Sequence, residues 1–239
     1  MRSQLVKIDT TPDLVDQVYR SLLDAISDGS MAPGARIGQE DIAAQLAVSR
    51  QPVLQALRLL KKDGFVLDAP GRGVLVAPLD VDWLVQIYQV RSTLDALAAR
   101  LAAARRQVID PRLIAQGRSA AAAGKVKQMI SADAAFHAAI YAASGNPMIG
   151  QSAQLHWQHI RRAMGAVLQV STVRNSVWDE HEAIAQAIAQ GEEDRAEHLI
   201  RQHGEEAGRN LAILLTSALK PYAAPLLNAV PFSKSANSR

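Results

Sequence analysis

Residues 40–60 read EDIAAQLAVSRQPVLQALRLL, and their polarity pattern decides what the first third of the chain becomes. Ahead of the break at "AVS", residues 39–46 place Ile42, Ala43 and Leu46 on the inner side of a short helix. Beyond it, residues 50–62 carry Val53, Leu57 and Leu60 on one face and Arg50, Leu54 and Arg58 in the opposite stripe. Two short helices across a tight break, the second with a polar outer stripe, form the pattern of a helix-turn-helix. Small Ala43 permits close packing of the two, and Ser49 stands where its hydroxyl can cap the second. Residues 13–28 add Leu14, Val18, Leu22 and Ile26 at helical spacing, ending at DGSMAPGAR. After the helices, FVLDAPGRGVLVAP alternates around a PGRG turn and predicts a two-stranded hairpin. Helix, helix, helix, hairpin is the order of a winged helix-turn-helix.

Composition narrows the rest. The 239 residues are 49% hydrophobic but only 4% aromatic, which favours helices over a β-sandwich and predicts a mostly α protein. There is no Cys, so disulfides, thiolate metal sites and Cys nucleophiles are excluded, and a metal must be held by His, Asp or Glu. The net charge of +3 is too small to imply nucleic acid by itself. Its distribution says more: residues 1–79 hold nine basic and nine acidic side chains, yet 49–62 hold Arg50, Arg58, Lys61 and Lys62 with no acid. One face of a neutral domain is therefore basic. The N-terminus MRSQLVKIDTTPD has no apolar core of signal-peptide length, and no run of about 18 apolar residues follows, so a cytoplasmic chain without a membrane partner is expected.

Around APLD, residues 77–80, the character changes. Helices are predicted over 80–106, 111–123, 125–143, 147–170, 174–190 and 192–217, broken at Asp110-Pro111, Gly124, Gly145-Asn146-Pro147 and Gly191. The domains so read are 1–79, a DNA-binding winged helix-turn-helix; 80–217, an all-helical bundle; and 218–239, a tail with three prolines. That tail is either a loose extension or a segment that docks on a partner subunit.

In the bundle, Asp133 and His137 stand four residues apart in SADAAFHAAIYAASGNP, on one helical face. Such a pair is as readily solvated surface as half of a metal site. Its face also carries Met129, Ile130, Ile140 and Tyr141, which points it inward. Of the other histidines, His181 opens a helix and His203 lies on the last one, while His156, His159 and His198 default to surface or supporting roles. Arg91 interrupts a helix apolar at Leu84, Ile87, Leu94 and Leu97 and needs an anionic partner. Asp95 one turn on is one candidate; a bound carboxylate is the other.

Taken together, LLDAISDGSMAPGARIGQEDIAAQLAVSRQPVLQALRLLKKDGFV and GRGVLVAP in the first domain, and IYQVRSTLDALAARLAA, DAAFHAAIYAASGNP and DEHEAIAQAIAQGEEDRAEHLIRQH in the second, resemble GntR-family transcription regulators of the FadR subgroup. The resemblance spans roughly residues 10–217. It implies a homodimer on palindromic operator DNA, controlled by a small organic acid, with repression the commoner mode. It also implies that Asp133, His137, His181 and His203 hold a divalent metal, a donor set suited to Zn²⁺, Ni²⁺ or Mn²⁺. Arg91 then grips the effector carboxylate, with Arg162, or its neighbour Arg161, as a second anion contact.

Implied DNA contacts are Arg50, Gln51, Leu54, Gln55, Arg58, Lys61 and Arg72 at the wing tip, with Lys62 beside them. One position departs from the family, which usually has Arg one turn after the "SR" arginine (VREAL). This chain reads Val53-Leu54-Gln55-Ala56-Leu57. Leu54 cannot donate to guanine and can at most touch a thymine methyl, so a different half-site or weaker specificity is expected. Two rival readings are a metal-dependent hydrolase using the His/Asp set, against which stands the lack of a general-base pair, and a helical interaction protein with no small-molecule site.

Overall fold

The computed structural model describes residues 14–71, 73–168 and 176–219. The expectations for Arg72 and for residues 220–239 of the tail lie outside the described residues. The chain forms two compact units, one from residues up to 80 together with 147–165, the other from 81–146 and from 166 onward.

In the first unit, α1 (Leu14–Ser27), α2 (Gln39–Gln45) and α3 (Arg50–Lys62) precede β2 (Val66–Asp68) and β3 (Val74–Val76). A two-residue strand, β1 (Arg36–Ile37), pairs antiparallel with β3, giving the sheet order β1-β3-β2. Two residues are too few to show alternation, so the sequence predicts only the hairpin. Val18, Leu22, Ile26, Ile42, Val53, Leu57, Leu60 and Phe65 are buried in one core, each contributing roughly 1.5–3 kcal/mol of apolar burial. Leu14, periodic with them, is exposed. Ser49 takes the N-cap position of α3, but its side chain makes no capping bond. The third residue of α3 is Pro52, so one of the two N–H groups that such a hydroxyl could accept from is missing. Ala47, in the turn between α2 and α3, adopts φ 52°, a left-handed conformation that costs a non-glycine residue about 1 kcal/mol.

The second unit comprises α4 (Val81–Ala104), α5 (Pro111–Ala122), α6 (Val126–Ser144), α8 (Ser176–Gln190) and α9 (Glu193–Leu219). Helix α7 (Pro147–Val167), expected in the bundle, falls with the first unit over residues 147–165. Amphipathicity shows which face of a helix is buried, not which neighbour buries it. Antiparallel α4 and α9 pack through Gly204 and Gly208, four residues apart and so on one face. A Cβ on Gly204 would come within 2.6 Å of Ser92 Oγ, and one on Gly208 within 2.8 Å of Tyr88 Cγ. Arg100 on α4 closes the far end by pairing with Asp194 and Glu197 on α9. This register sets Arg91 and Asp95 of α4 alongside His203 of α9.

Candidate metal centre and nucleic-acid interface

Each ligand-type side chain in the second unit is presented by a different helical device. On α6, the spacing of four stacks Asp133 above His137; the second turn of α8 carries Glu180 and His181; α9 brings His203, one residue before the Gly204 that lets it approach α4. One donor atom from each of Asp133, His137, His181 and His203 lies within 4.8 Å of all the others. His181 Nε2 is 3.3 Å from His203 Nε2 and 3.4 Å from Asp133 Oδ1. The three imidazoles are buried and Asp133 is half-buried.

Two carboxylates back the imidazoles from behind. Glu180 Oε2 lies 2.9 Å from His203 Nδ1, and Asp95 Oδ2 lies 3.5 Å from His137 Nδ1. The Glu180 carboxylate at Nδ1 holds the His203 ring proton there and leaves its Nε2 lone pair for the centre, the usual support of a metal-binding histidine, while Asp95 faces His137 at ion-pair distance. The third ring is held by packing: Phe136 stacks on His181 with centroids 4.1 Å apart, and Trp178 meets it edge-on at 4.9 Å. Trp178 reaches that position only because residue 117 is glycine, since a Cβ there would lie 2.0 Å from the indole. Burial, helped by the neighbouring His203 and His137, lowers the pKa of His181 well below its ordinary value; burial and then Arg91 lower that of His137. Neutral imidazole is the form that ligates a metal. Geometry, donor chemistry and protonation therefore all fit a borderline divalent ion.

Arg91 lies beside this cluster. Its Nε is 3.2 Å from Asp95 Oδ2, and both side chains are buried. Asp95 also accepts a hydrogen bond from the Tyr141 hydroxyl. Burial works against the Asp95 carboxylate, yet Arg91, His137 and Tyr141 outweigh it and hold its pKa below the usual range. The Arg91 charge in turn feels Asp95 first and Asp133 further off. Sequence reasoning offered Asp95 only as a structural partner and missed Glu180. The DEHE string holds both Glu180 and His181, but nothing in it shows that Glu180 turns to a histidine 23 positions later.

Arg162 is not brought to Arg91 by its contacts. It lies on the part of α7 that belongs to the first unit and donates to the backbone carbonyl of Ala77, while Arg161 pairs with Asp24 of α1 at 2.9 Å. Both of these contacts lie within the first unit. His156 and His159 are likewise on α7, and His198 is exposed on α9. Burial lowers the pKa of His159 to about 4. The sign follows: the folded ring stays neutral while the unfolded one, near 6.5, takes a proton, so stability is complete above pH 6.5 and falls as pH drops toward 4. Urea titrations at pH 7 and pH 4.5 should show a larger loss for wild type than for His159→Phe, by up to about 3 kcal/mol; equal losses would refute this assignment.

Along α3, Gln51, Gln55, Arg58, Lys61 and Lys62 are exposed and Leu54 is half-buried. Arg50 pairs with Glu40 at 2.5 Å and Lys61 with Asp68 at 2.6 Å, all four side chains being exposed. Such surface pairs contribute roughly 0–1 kcal/mol, weak enough to exchange for phosphate.

Comparison with known proteins divides the chain by sequence, with α7 falling inside the second match. Residues 14–76 match the model of bacterial regulatory proteins of the gntR family, and residues 86–206 match the FCD domain. YdhC of Bacillus subtilis, an uncharacterized HTH-type transcriptional regulator, is 34% identical over 95 residues, a match covering 40% of this chain and 42% of that protein. A probable D-xylose utilization operon transcriptional repressor of Paenarthrobacter nicotinovorans is 25% identical over 206 residues, covering 81% of this chain and 87% of that one. The solved structure of Escherichia coli McbR/YncC superposes with a TM-score of 0.71 at 22% identity, over 85% of this chain and 98% of that one, and so shares the fold. These relatives are transcription regulators, not enzymes, which sets the hydrolase reading aside. With a winged helix-turn-helix matched over residues 14–76 and an FCD domain over residues 86–206, the chain belongs to the GntR family of transcription regulators, in the FadR-like subgroup.

Proposed function

We propose that this regulator is a cytoplasmic repressor whose operator affinity is set by a small carboxylate bound beside a divalent metal. The observation that carries the reading is the buried convergence of Asp133, His137, His181 and His203 next to Arg91. Those four residues would hold Zn²⁺, Ni²⁺ or Mn²⁺, and the ion would supply a Lewis-acidic partner for the carboxylate. Arg91 contributes the counter-charge, in competition with Asp95. Repression is supported by the similarity to the Paenarthrobacter repressor. The test is elemental analysis of purified protein, followed by binding to duplexes selected from a randomised pool, with and without metal and a panel of small carboxylates. Absence of metal, or DNA affinity indifferent to metal and to every carboxylate, would leave only the DNA-binding half of the reading.

DNA contacts are assigned to Arg50, Gln51, Leu54, Gln55, Arg58 and Lys61, with Arg72 at the wing tip as proposed from its sequence position. Leu54→Arg is expected to change the base preference at one half-site position by about 1–3 kcal/mol, read by sequencing the selected duplexes. An unchanged preferred sequence and affinity would show that Leu54 does not face bases.

Operator reading by one recognition helix is short, so a two-fold dimer is part of the proposal. Its seam is supported by an apolar stripe on α4: Trp83, Val90 and Leu97 are 50%, 52% and 43% exposed, one heptad apart. Trp83 and Leu97 stand equally far from Val90, so two antiparallel copies crossing at Val90 would set each tryptophan against a leucine. Val90→Glu should convert dimer to monomer in sedimentation experiments at micromolar concentration; an unchanged dimer places the seam elsewhere.

A further inference from the structure

Helix α7 lies in sequence between the two helices that carry Asp133, His137 and His181, yet its residues 147–165 complete the DNA-binding unit. What it grips there is specific. The buried His159 ring stacks on Phe65 with centroids 4.1 Å apart and planes inclined by 10°. Its Nε2 lies 3.0 Å from the carbonyl of Asp63, which can only accept, so the ring donates. Asp63 is the C-cap of the recognition helix α3, and its carboxylate accepts a 2.7 Å bond from the Tyr19 hydroxyl of α1. Phe65 leads into β2, and its carbonyl accepts from the amide of Ala77, the residue after β3. The carbonyl of that same Ala77 accepts from Arg162. His159 and Arg162, three positions apart and on one helical face, thus hold both stems of the wing and the last turn of α3.

Stability is a poor explanation for Arg162. It is 6% exposed, and a backbone carbonyl is the partner found for it among the described residues. A guanidinium buried against a neutral acceptor is costly, and an apolar side chain of its size would serve packing better. The other end of α7 is joined to the metal-site helix through the chain alone. Only Gly145 and Asn146 separate α6 from α7, with Gly145 in the left-handed C-cap at φ 68°. Ser144 Oγ donates to the Tyr141 carbonyl at 2.6 Å and accepts from the Asn146 amide at 3.1 Å, closing the end of α6 up to Asn146. Tyr141 is the residue whose hydroxyl meets Asp95 beside Arg91 and His137.

We propose that α7 is the transmission element of the regulator, and that His159 and Arg162 are positioning residues that tie the wing and the end of the recognition helix to the state of the Asp133/His137 helix. A displacement of the end of α6 passed on through this two-residue link would move α7 and with it the stems of the wing. The ligand need only bind differently to the two settings of α6 for DNA affinity to change. This rests on the regulatory reading above and adds to it the route by which the metal-bearing helix reaches DNA.

The test uses the full-length protein, Zn²⁺ or EDTA as the only ligand variable, and a duplex selected by the wild type from a randomised pool. Variants are Arg162→Met, His159→Ala and the more conservative His159→Phe, which keeps a ring on Phe65 but loses the bond to Asp63. In the wild type, the affinity ratio between the two conditions should be about fivefold or more, and amide exchange over residues 65–77 should respond to Zn²⁺. In each variant the ratio should fall below about twofold and the exchange response should vanish, with zinc content unchanged. A wild-type ratio retained in the variants overturns the role of α7 and leaves the regulatory reading intact. A wild-type ratio of one, with DNA still bound, overturns both. Loss of zinc from the variants also overturns the proposal, because α7 would then be part of the metal-binding unit. If His159→Ala does not fold, His159→Phe and Arg162→Met still decide between these outcomes.

Discussion

Purified His181→Ala should contain less than about a tenth of an ion per chain, where wild type carries about one. The ring stands between Phe136 and Trp178 with its Nε2 facing both Asp133 and His203, so no other donor replaces it. Its removal also leaves a cavity costing about 2–4 kcal/mol, which is why the informative quantity is the difference between metal-loaded and metal-free protein. A ligand at a thousand times its Kd stabilises by about 4 kcal/mol, worth roughly 10 °C in Tm for a chain of this size. That increment should be present in wild type and in His198→Ala, whose side chain is exposed, and absent in His181→Ala. Glu180→Gln should be intermediate, weakening metal affinity about 10- to 100-fold, because it loosens the proton on His203 Nδ1 without removing a ligand. A His181→Ala protein that retains its metal and its thermal increment would rule out the centre built on these four residues.

Which parts of this arrangement were legible beforehand depends on how local their causes are. Val53, Leu57 and Leu60 announce α3 because the helix period alone separates them from Arg50 and Arg58, and all three are buried. Asp133 and His137 are legible for the same reason, one helix and one face. His181 and His203 were assigned by resemblance; spacing alone would not have joined residues on separate helices. Asp95 and Glu180 illustrate the limit. Both support histidines across helix boundaries, and their roles follow from packing between α4, α6, α8 and α9. The docking of α7 was invisible because a buried face does not name its neighbour, and the burial of Arg162 gave no hint of Ala77. Leu97 shows the converse error: an apolar residue at helical spacing can face outward, and the hydrophobic pattern does not separate a core stripe from one left for a partner.

The Arg91–Asp95 pair yields the largest expected change in stability, and removing one partner costs far more than removing both. Arg91→Met leaves a fully buried carboxylate beside His137 and Tyr141 with its main counter-charge gone, at a cost of about 3–5 kcal/mol, or on the order of 10 °C in Tm. The double variant Arg91→Met/Asp95→Leu should recover most of that loss, since an apolar pair needs no desolvation of charge; the Tyr141 hydroxyl, left without Asp95, limits the recovery. The pH dependence carries its own sign. In wild type the Asp95 pKa is held down by Arg91 against the effect of burial, so its contribution exists above the ordinary carboxylate value of about 4 and is lost below it. In Arg91→Met burial wins and the neutral acid is favoured. The gap between wild type and variant should therefore be widest near pH 7 and narrow as the pH falls through about 4. Urea denaturation at pH 7 and pH 3.5 measures it, and a gap independent of pH would mean that the cost is packing rather than charge. The same proteins examine the effector reading. If Arg91 is the anchor of a carboxylate, any small acid that raises the Tm of the metal-loaded wild type should do nothing for the metal-loaded double variant. Retention of that shift would leave Arg91 as the structural partner of Asp95 and nothing more.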